Sequence, residues 1–298
     1  MLATFDHTQF ELSALLAGKR GPISVVVPTR ETAATIAATV RAIDSLRTAG
    51  LVDQILVVDA DSADGTATIA REAGAEVFQE AALLPQFGPV EGKGDAMWRA
   101  LSVARGEHVV YLDGDVRDFG AHYVTGLLGP LLQTPPARFV KGFYRRPLAL
   151  DTLEIEDGGG RVTELTAKPL LELLAPPLGA FQQPLAGEVA ADRGLLASLP
   201  FATDYGVEIA MLVDVWRQVG LEAMAQVDLG SKRNSHQALG ELGGMAREVL
   251  AALARALGEG IDPRLGTISP PPRQASPTPG QVAPARMRPP LASLAVSG

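Results

Sequence analysis

An apolar run that ends abruptly in two aspartates constrains the fold of this chain more than any other feature. Residues 108–115 read His-Val-Val-Tyr-Leu-Asp-Gly-Asp, so a β-favouring segment is followed at once by Asp113 and Asp115. The pattern predicts a buried parallel strand that delivers both carboxylates to its carboxyl edge, which is where open α/β sheets bind ligands. A polar turn that only closes the strand is the alternative for an isolated Asp-Gly-Asp.

The chemistry of this motif favours a metal site. Two carboxylates one residue apart suit a hard divalent cation whose other ligands are phosphate oxygens and water. Gly114 lies between them and allows a close approach of the backbone. The motif therefore indicates metal-assisted diphosphate chemistry.

Strand and helix patterns alternate along the first third of the chain. Apolar runs at residues 23–27, 54–58 and 75–78 are each predicted as strands, and the first two are followed by helical patterns that stop at Gly50 and Gly74. This alternation predicts an α/β fold with a parallel, doubly wound sheet.

Two glycine-rich segments place basic residues before predicted helices. Residues 91–94, Glu-Gly-Lys-Gly, bring Lys93 to the start of a helix, where an ammonium group can meet a phosphate. Residues 158–161, Gly-Gly-Gly-Arg, offer free backbone N–H groups and the Arg161 guanidinium to a carboxylate or phosphate. The alternatives are a solvated lysine in a flexible turn and a loop that caps a surface helix.

The composition limits the classes of partner. The chain has 34 acidic and 26 basic residues, for a formal charge of −8, which argues against a nucleic-acid or anionic-membrane surface and favours small phosphorylated molecules. It has no cysteine, so disulfides and thiolate zinc sites are excluded. No apolar run approaches the ~20 residues that span a bilayer, and the first residues do not have the pattern of a signal peptide. We expect a cytoplasmic protein without a membrane partner.

The remaining patterns complete one predicted domain of residues 1–262. They are a peripheral lead-in at 1–21, a strand that enters a basic corner at 139–147, a helix at 203–219 with Glu208 in its first turn, a last strand at 223–229 and a long amphipathic helix through 239–253. Nine of the 36 residues from 263 to 298 are proline, which predicts an extended or disordered tail.

Taken together, the motifs resemble those of the retaining glucosyl-3-phosphoglycerate synthase and mannosyl-3-phosphoglycerate synthase family of bacterial glycosyltransferases. The resemblance runs from about residue 23 to about residue 253. It is carried by Glu-Gly-Lys-Gly at 91–94 with Trp-Arg at 98–99, Asp-Gly-Asp at 113–115, Val-Lys at 140–141 with Phe-Tyr-Arg-Arg-Pro-Leu at 143–148, Gly-Gly-Gly-Arg-Val-Thr-Glu-Leu at 158–165, and Tyr-Gly-Val-Glu-Ile at 205–209.

The resemblance implies a GT-A fold, a Rossmann-like nucleotide-binding sheet fused to an acceptor-binding region, with a nucleotide-sugar half at about 22–118 and an acceptor-binding half at about 119–262. It implies that glucose or mannose passes from a nucleoside-diphosphate hexose to 3-phosphoglycerate with retention, in a homodimer that uses Mg²⁺ or Mn²⁺. By matching motif, the nucleotide sugar is bound by Pro28, Thr29, Lys93, Asp113, Gly114 and Asp115, the acceptor by Gly160, Arg161 and Thr163, and the catalytic residues are Glu208, Lys93 and Asp115.

The sequence departs from the family's pattern at two places. The family usually has Asn-Glu after the first strand, and Glu31-Thr32 stands there in this chain. The family also has a metal-binding histidine a few residues past the final strand, with an asparagine two positions on. A gapless alignment places Asn234 at the histidine position and His236 at the asparagine position. The resemblance implies Asp115 and His236 as metal ligands, with Asn234, whose hard carbonyl oxygen suits Mg²⁺, as the alternative.

Three other functions fit part of the pattern. An inverting polyprenyl-phosphate glycosyltransferase shares the first strands but needs a membrane-anchoring helix, which this sequence lacks. A phosphatase of the haloacid dehalogenase type also has an Asp-X-Asp, after its first strand. A non-catalytic nucleotide-sugar-binding protein on the same scaffold is a third possibility, favoured by the altered histidine region and opposed by the presence of Lys93, both aspartates and Arg161.

Overall fold

The computed structural model describes residues 1–134, 137–150, 153–155, 159–233, 239–258 and 285–296. Its strands are β1 (Ala3–Asp6), β2 (Ile23–Thr29), β3 (Gln54–Asp59), β4 (Glu76–Gln79), β5 (His108–Tyr111), β6 (Phe139–Arg145), β7 (Leu148–Leu150), β8 (Leu153–Ile155), β9 (Val189–Asp192), β10 (Phe201–Ala202), β11 (Met224–Ser231) and β12 (Met287–Arg288).

Its α-helices are α1 (Leu12–Gly18), α2 (Ile36–Thr48), α3 (Thr66–Glu72), α4 (Lys93–Leu101), α5 (His122–Gln133), α6 (Lys168–Leu174), α7 (Arg193–Ala197), α8 (Val207–Val219) and α9 (Leu239–Leu257). A π-helix at Thr163–Ala167 leads into α6. Within the described ranges, no helix combines the length and apolar character that crossing a membrane requires.

Eight strands form the central sheet, in the order β1-β11-β6-β9-β5-β2-β3-β4. All neighbours are parallel except β9, which runs antiparallel to both β5 and β6. The predicted α/β fold with a mostly parallel sheet is therefore confirmed. The Asp-Gly-Asp motif follows β5, not the first strand, so the structure contradicts the haloacid dehalogenase alternative.

Alternate residues of the inner strands build a core on each face of the sheet. On one face, Val25 and Val27 of β2 belong to the same buried cluster as Ile36 and Val40 of α2. On the other, Val26 joins the cluster that contains Met97 and Trp98 of α4. Each fully buried side chain of this size contributes about 1.5–3 kcal/mol to the stability of the fold. Because helices cover both faces of the sheet, the side chains on both faces of these strands are buried, and the strands are continuous apolar runs in the sequence.

Two strands of the central sheet, β1 and β9, were not predicted from the sequence. The lead-in at residues 1–21 includes β1, which pairs in parallel with β11 at the edge of the sheet. Its sequence, Ala-Thr-Phe-Asp, is too polar to predict a strand. The four-residue strand β9 is missed for a similar reason, since Val-Ala-Ala-Asp is short and contains two alanines, which disfavour strands.

Residues 285–296 of the segment predicted to be extended or disordered have regular structure. There β12 pairs antiparallel with β10, and a 3₁₀ helix follows at Leu291–Val296. Proline content alone predicted a solvated chain, but Arg288 is buried and finds hydrogen-bond partners inside the domain.

Candidate active site

The carboxyl edge of β2 and β5 forms the floor of a cleft with a volume of about 660 Å³, lined by both polar and apolar groups. Asp113, Gly114 and Asp115 follow β5, and Pro28 and Thr29 end the neighbouring β2. A methyl group on Gly114 would lie 2.8 Å from Thr29 Cγ2 and 3.3 Å from the Pro28 carbonyl oxygen. The two strand ends therefore pack closely only because residue 114 is glycine.

Asp113 is held between two lysines. Its Oδ1 accepts a hydrogen bond from Lys93 Nζ at 2.7 Å, and its Oδ2 accepts one from Lys232 Nζ at 2.6 Å. Burial alone would raise the pKa of Asp113, but the charges of Lys232 and Lys93 hold it well below its usual range. Asp113 is therefore a fixed anion that orients both ammonium groups.

Lys93 occupies the first position of α4, where Gly92 has a φ of 147°. Both flanking glycines are required, because a Cβ at Gly92 would lie 2.8 Å from the Thr203 carbonyl oxygen and a Cβ at Gly94 would collide with the Ala202 carbonyl oxygen. The lysine also forms an ion pair with Glu208 Oε1 at 2.7 Å. Burial alone would lower the pKa of Lys93, but Asp113 and Glu208 raise it, so the side chain is a permanent cation.

Behind these residues lies a second buried pair that sequence reasoning missed. Lys232 Nζ contacts Glu188 Oε1 at 2.7 Å, and Tyr144 donates its hydroxyl hydrogen to Glu188 Oε2 at 2.8 Å. Lys232 and Glu188 are almost completely inaccessible to solvent. The only sequence signal for Glu188 was its position before a short apolar run, and Lys232 had none beyond its place in a basic loop.

Asp115 differs from Asp113 in its surroundings. Its side chain opens into the cleft, and no hydrogen bond or ion pair to its carboxylate is present among the described residues. Desolvation by the cleft walls and the nearby charge of Asp113 raise its pKa. Lys93 and Lys232 are paired with Asp113, Glu208 and Glu188. The Asp115 carboxylate lines the cleft, where a cation can reach it.

The predicted anion-binding segment faces the same cleft. Gly160 has a φ of 71°, which favours glycine, and the helical turn begins at Arg161. Gly160, Arg161 and Thr163 all line the cleft, and Arg146 lies beside them. The Gly159 N–H donates to the Arg146 carbonyl oxygen at 3.0 Å, which ties the loop to the end of β6. Two arginines therefore line the same cleft as the two aspartates.

Ten predicted site residues line this one cleft: Pro28, Thr29, Lys93, Asp113, Gly114, Asp115, Gly160, Arg161, Thr163 and Glu208. His236 and its alternative Asn234 lie outside the described residues. Among the residues that are described, no group of three or more histidine, aspartate or glutamate side chains has the arrangement of a complete metal site.

Lys141 lies beneath the cleft and was predicted only as part of a β-strand. Its ammonium group donates to the Ala186 carbonyl oxygen at 2.7 Å and is 1% exposed. Burial lowers the pKa of Lys141 to about 8, because the charges of Glu208 and its neighbours only partly offset the loss of solvation.

Comparisons with known proteins agree with the geometry. The family model described as "Glycosyl transferase family 2" matches residues 24–151. The chain is 44% identical over 246 residues to a glucosyl-3-phosphoglycerate synthase of Mycolicibacterium smegmatis, covering 83% of this chain and 80% of the relative. It is 38% identical over 260 residues to the enzyme of the same name from Petrotoga mobilis, covering 85% and 80%.

Two solved structures extend the comparison to the fold. Mannosyl-3-phosphoglycerate synthase from Rubrobacter xylanophilus superposes with a TM-score of 0.80 at 50% identity, covering 86% of this chain and 82% of that one. Glucosyl-3-phosphoglycerate synthase from Mycobacterium tuberculosis, in complex with Mn²⁺, UDP-glucose and phosphoglyceric acid, superposes with a TM-score of 0.86 at 39% identity, covering 98% and 99%. The expected GT-A fold is thereby confirmed.

The low pKa of Lys141 predicts that stability depends on pH in the alkaline range. Between pH 8 and 10.5 the unfolded chain binds more protons at this lysine than the folded protein does, so the free energy of unfolding rises with pH. The slope is at most about 1.4 kcal/mol per pH unit. We expect Lys141→Met to remove this rise in urea-denaturation midpoints measured at pH 8, 9 and 10. Lys168→Met, at the surface beside Glu164, should keep it; an unchanged slope in Lys141→Met would contradict the prediction.

Proposed function

Because the chain belongs to the glucosyl-3-phosphoglycerate synthase family, we propose that it transfers glucose or mannose from a nucleoside-diphosphate hexose to 3-phosphoglycerate with retention of configuration. The observation that carries the proposal is the cleft itself, whose lining combines an aspartate pair and a permanent lysine cation with Arg146 and the glycine turn before Arg161. A donor diphosphate and a doubly anionic acceptor need these two charge environments side by side. The first test is product formation from labelled donor and 3-phosphoglycerate.

The donor half of the cleft suits a nucleoside diphosphate. Pro28 and Thr29 border the nucleotide, and Asp113 and the backbone of Gly114 hold it at the strand end. Lys93 contacts the diphosphate, because its ammonium is fixed at the cleft by two carboxylates and retains one of its three donor hydrogens for a phosphate oxygen. The unusual Glu31-Thr32 pair stands after β2, where Thr32 lines the cleft.

The candidate metal ligands of this chain fit a divalent cation. The Asp115 carboxylate lines the cleft, and a carboxylate oxygen is a ligand that Mg²⁺ and Mn²⁺ both accept. Asp115 would hold the ion, with His236 as a second ligand and Asn234 as its alternative. When bound, such a cation neutralises charge that develops on the leaving diphosphate.

We propose a front-face transfer. The acceptor hydroxyl oxygen bonds to the anomeric carbon on the face from which the diphosphate oxygen departs, and its proton passes to that departing oxygen. Glu208 lies beside the donor hexose and is the only carboxylate considered as a covalent nucleophile. Its close pairing with Lys93 at 2.7 Å disfavours that role, because the ion pair stabilises the carboxylate in place. A trapped glycosyl adduct on Glu208 would overturn this mechanism.

The acceptor half is proposed to hold 3-phosphoglycerate through Gly160, Arg161 and Thr163. The acceptor presents a carboxylate and a phosphate, and a planar guanidinium binds either through two parallel hydrogen bonds. Arg146 lines the same end of the cleft and supplies a second guanidinium for the other anionic group.

The assembly is proposed to be a homodimer, as the family resemblance implies. The turn and helix from 163 to 174 expose an apolar row of Leu165, Pro169 and Leu173, with Leu165 79% and Leu173 75% exposed. Their spacing of four residues places them on one side of the helix. A second copy of the chain related by a two-fold axis would cover this row with the same row.

Asp115→Asn is expected to abolish metal-dependent turnover while leaving the fold intact. The change keeps the size of the side chain and removes the charge that holds the cation. Losing several kcal/mol of charge stabilisation corresponds to a drop in kcat of about a hundredfold or more. Asp44→Asn on the outer helix α2 is the matched control and should retain activity. Near-normal turnover of Asp115→Asn, or full wild-type activity in EDTA, would refute the metal assignment.

Arg161→Ala is expected to weaken acceptor binding and spare donor binding. A charge-assisted contact is worth about 1.5–3 kcal/mol, so KM for 3-phosphoglycerate should rise about tenfold to a hundredfold. Arg161→Lys keeps the charge without the planar fork and should give a smaller rise. Steady-state kinetics with each substrate varied in turn provide the measurement, and equal increases in both KM values would contradict the division of the cleft.

The double variant Leu165→Glu/Leu173→Glu is expected to shift the protein from dimer to monomer. The variant places two glutamates on each subunit of the proposed contact, and these like charges repel each other across the two-fold axis. It also replaces the apolar surface that the contact would bury. Sedimentation velocity reports the mass directly. Leu16→Glu, a partly exposed leucine on α1, is the matched control and should leave the mass unchanged. A double variant that sediments as the wild type does would place any dimer contact elsewhere.

A further inference from the structure

The C-terminal segment at residues 285–296 returns to the domain beside the loop that carries Lys93. Its strand β12 pairs with β10 in the register Phe201–Arg288 and Ala202–Met287, and the Thr203 N–H donates to the Arg286 carbonyl oxygen at 3.0 Å. Ala202 and Thr203 are the residues whose carbonyl groups crowd Gly94 and Gly92. The segment therefore lies one strand away from the start of α4.

Arg288 binds the first turn of α4 through Asp95. Its Nε contacts Asp95 Oδ1 at 2.8 Å and its Nη2 contacts Asp95 Oδ2 at 2.6 Å, which is a bidentate arginine–carboxylate pair. Asp95 is completely buried and lies two residues after Lys93. Burial alone would raise the pKa of Asp95, but its hydrogen bonds to Arg288 and Arg99 lower that pKa. Asp95 is therefore an anion whose charge is stabilised by these two arginines.

Asp95 in turn fixes the backbone on both sides of Lys93. Its Oδ2 accepts a hydrogen bond from the Glu91 N–H at 3.1 Å, and its own N–H donates to the Thr203 carbonyl oxygen at 3.1 Å. Glu91 precedes Lys93 by two residues and Asp95 follows it by two. The turn that aims Lys93 at the cleft is thus closed by a carboxylate whose charge Arg288 helps to balance.

The segment makes further contacts with the same region. The Trp98 indole Nε1 donates to the Pro289 carbonyl oxygen at 2.8 Å, and Arg288 donates to the Phe87 and Pro89 carbonyl oxygens at 2.8 and 3.2 Å. Arg286 forms a more exposed ion pair with Glu91 at 3.1 Å. These contacts join both the loop before Lys93 and the helix after it to a segment that is remote in sequence.

We propose that Arg288 is a positioning residue for donor binding: through Asp95 it fixes the turn at residues 91–95 so that Lys93 meets the donor diphosphate. The inference rests on the proposed function, which supplies the diphosphate. It adds a residue about 190 positions away in sequence that is not itself among the cleft-lining residues. A structural role alone would weaken the whole protein, whereas a positioning role acts on the donor side of the cleft.

The test compares Arg288→Met with the matched control Arg286→Met in the full chain. Arg288→Met keeps much of the side-chain volume and removes the bidentate pair, and small displacements of a binding group have large effects on binding. We expect the KM for the donor and the Kd for UDP or GDP with Mn²⁺, measured by calorimetry, to rise about tenfold. The KM for 3-phosphoglycerate should stay within about twofold, and Arg286→Met should change neither constant by more than about twofold, because its ion pair is exposed.

Hydrogen exchange of residues 88–98 gives a second readout, since the Glu91 amide should exchange faster in Arg288→Met and not in Arg286→Met. Arg288→Lys retains a cation without the fork and should restore part of the nucleotide affinity. Unchanged nucleotide Kd in Arg288→Met would overturn the inference, as would equal losses for donor and acceptor. If Arg288→Met does not fold, Arg288→Lys decides by the same criteria. A wild-type protein that binds nucleotide but forms no product from 3-phosphoglycerate would instead refute the proposed function.

Discussion

A partly buried carboxylate at the sheet edge is stabilised as an anion by neighbouring cations, and Asp113 has two of them. Lys93 and Lys232 each form a hydrogen-bonded ion pair with one of its oxygens, and each lysine has a further carboxylate partner in Glu208 or Glu188. Positive and negative groups therefore alternate across the floor of the cleft. Removing one member would leave an unbalanced buried charge, which typically costs about 3–5 kcal/mol. The arrangement is rigid for that reason.

The sheet topology explains how these groups reach one place. Most strands present their carboxyl ends at the cleft, so Asp113 follows β5 and Tyr144 lies near the end of β6. Strand β9 runs in the opposite direction between β5 and β6, and it therefore presents its beginning at the same edge. Glu188, the residue before β9, thus lies where the residues after β5 lie. One reversed strand supplies the carboxylate that balances Lys232.

Local signals in the sequence were sufficient for the elements that are organised locally. The strand before Asp113, the glycines around Lys93 and the glycine turn before Arg161 all express constraints on a few adjacent residues, and each was predicted. The pairing of Lys232 with Glu188 was not predictable in the same way. These two residues are 44 positions apart, and their meeting depends on the order of strands in the sheet. Neither residue type carries a pattern that reveals a distant partner.

The docking of residues 285–296 was not predicted, because composition describes an average and order depends on particular residues. Asp95 is fully buried, and the Arg99 guanidinium that pairs with it also donates to the Leu83 and Gly88 carbonyl oxygens. Arg288 adds two hydrogen bonds to this carboxylate from outside helix α4. The prolines that follow Arg288 have a restricted φ, which reduces the conformational entropy lost when an extended segment becomes ordered. A proline-rich segment can therefore dock through one short strand when a buried anion provides the binding energy. The donor side of the cleft then depends on residues that are distant in sequence from the strands that form it.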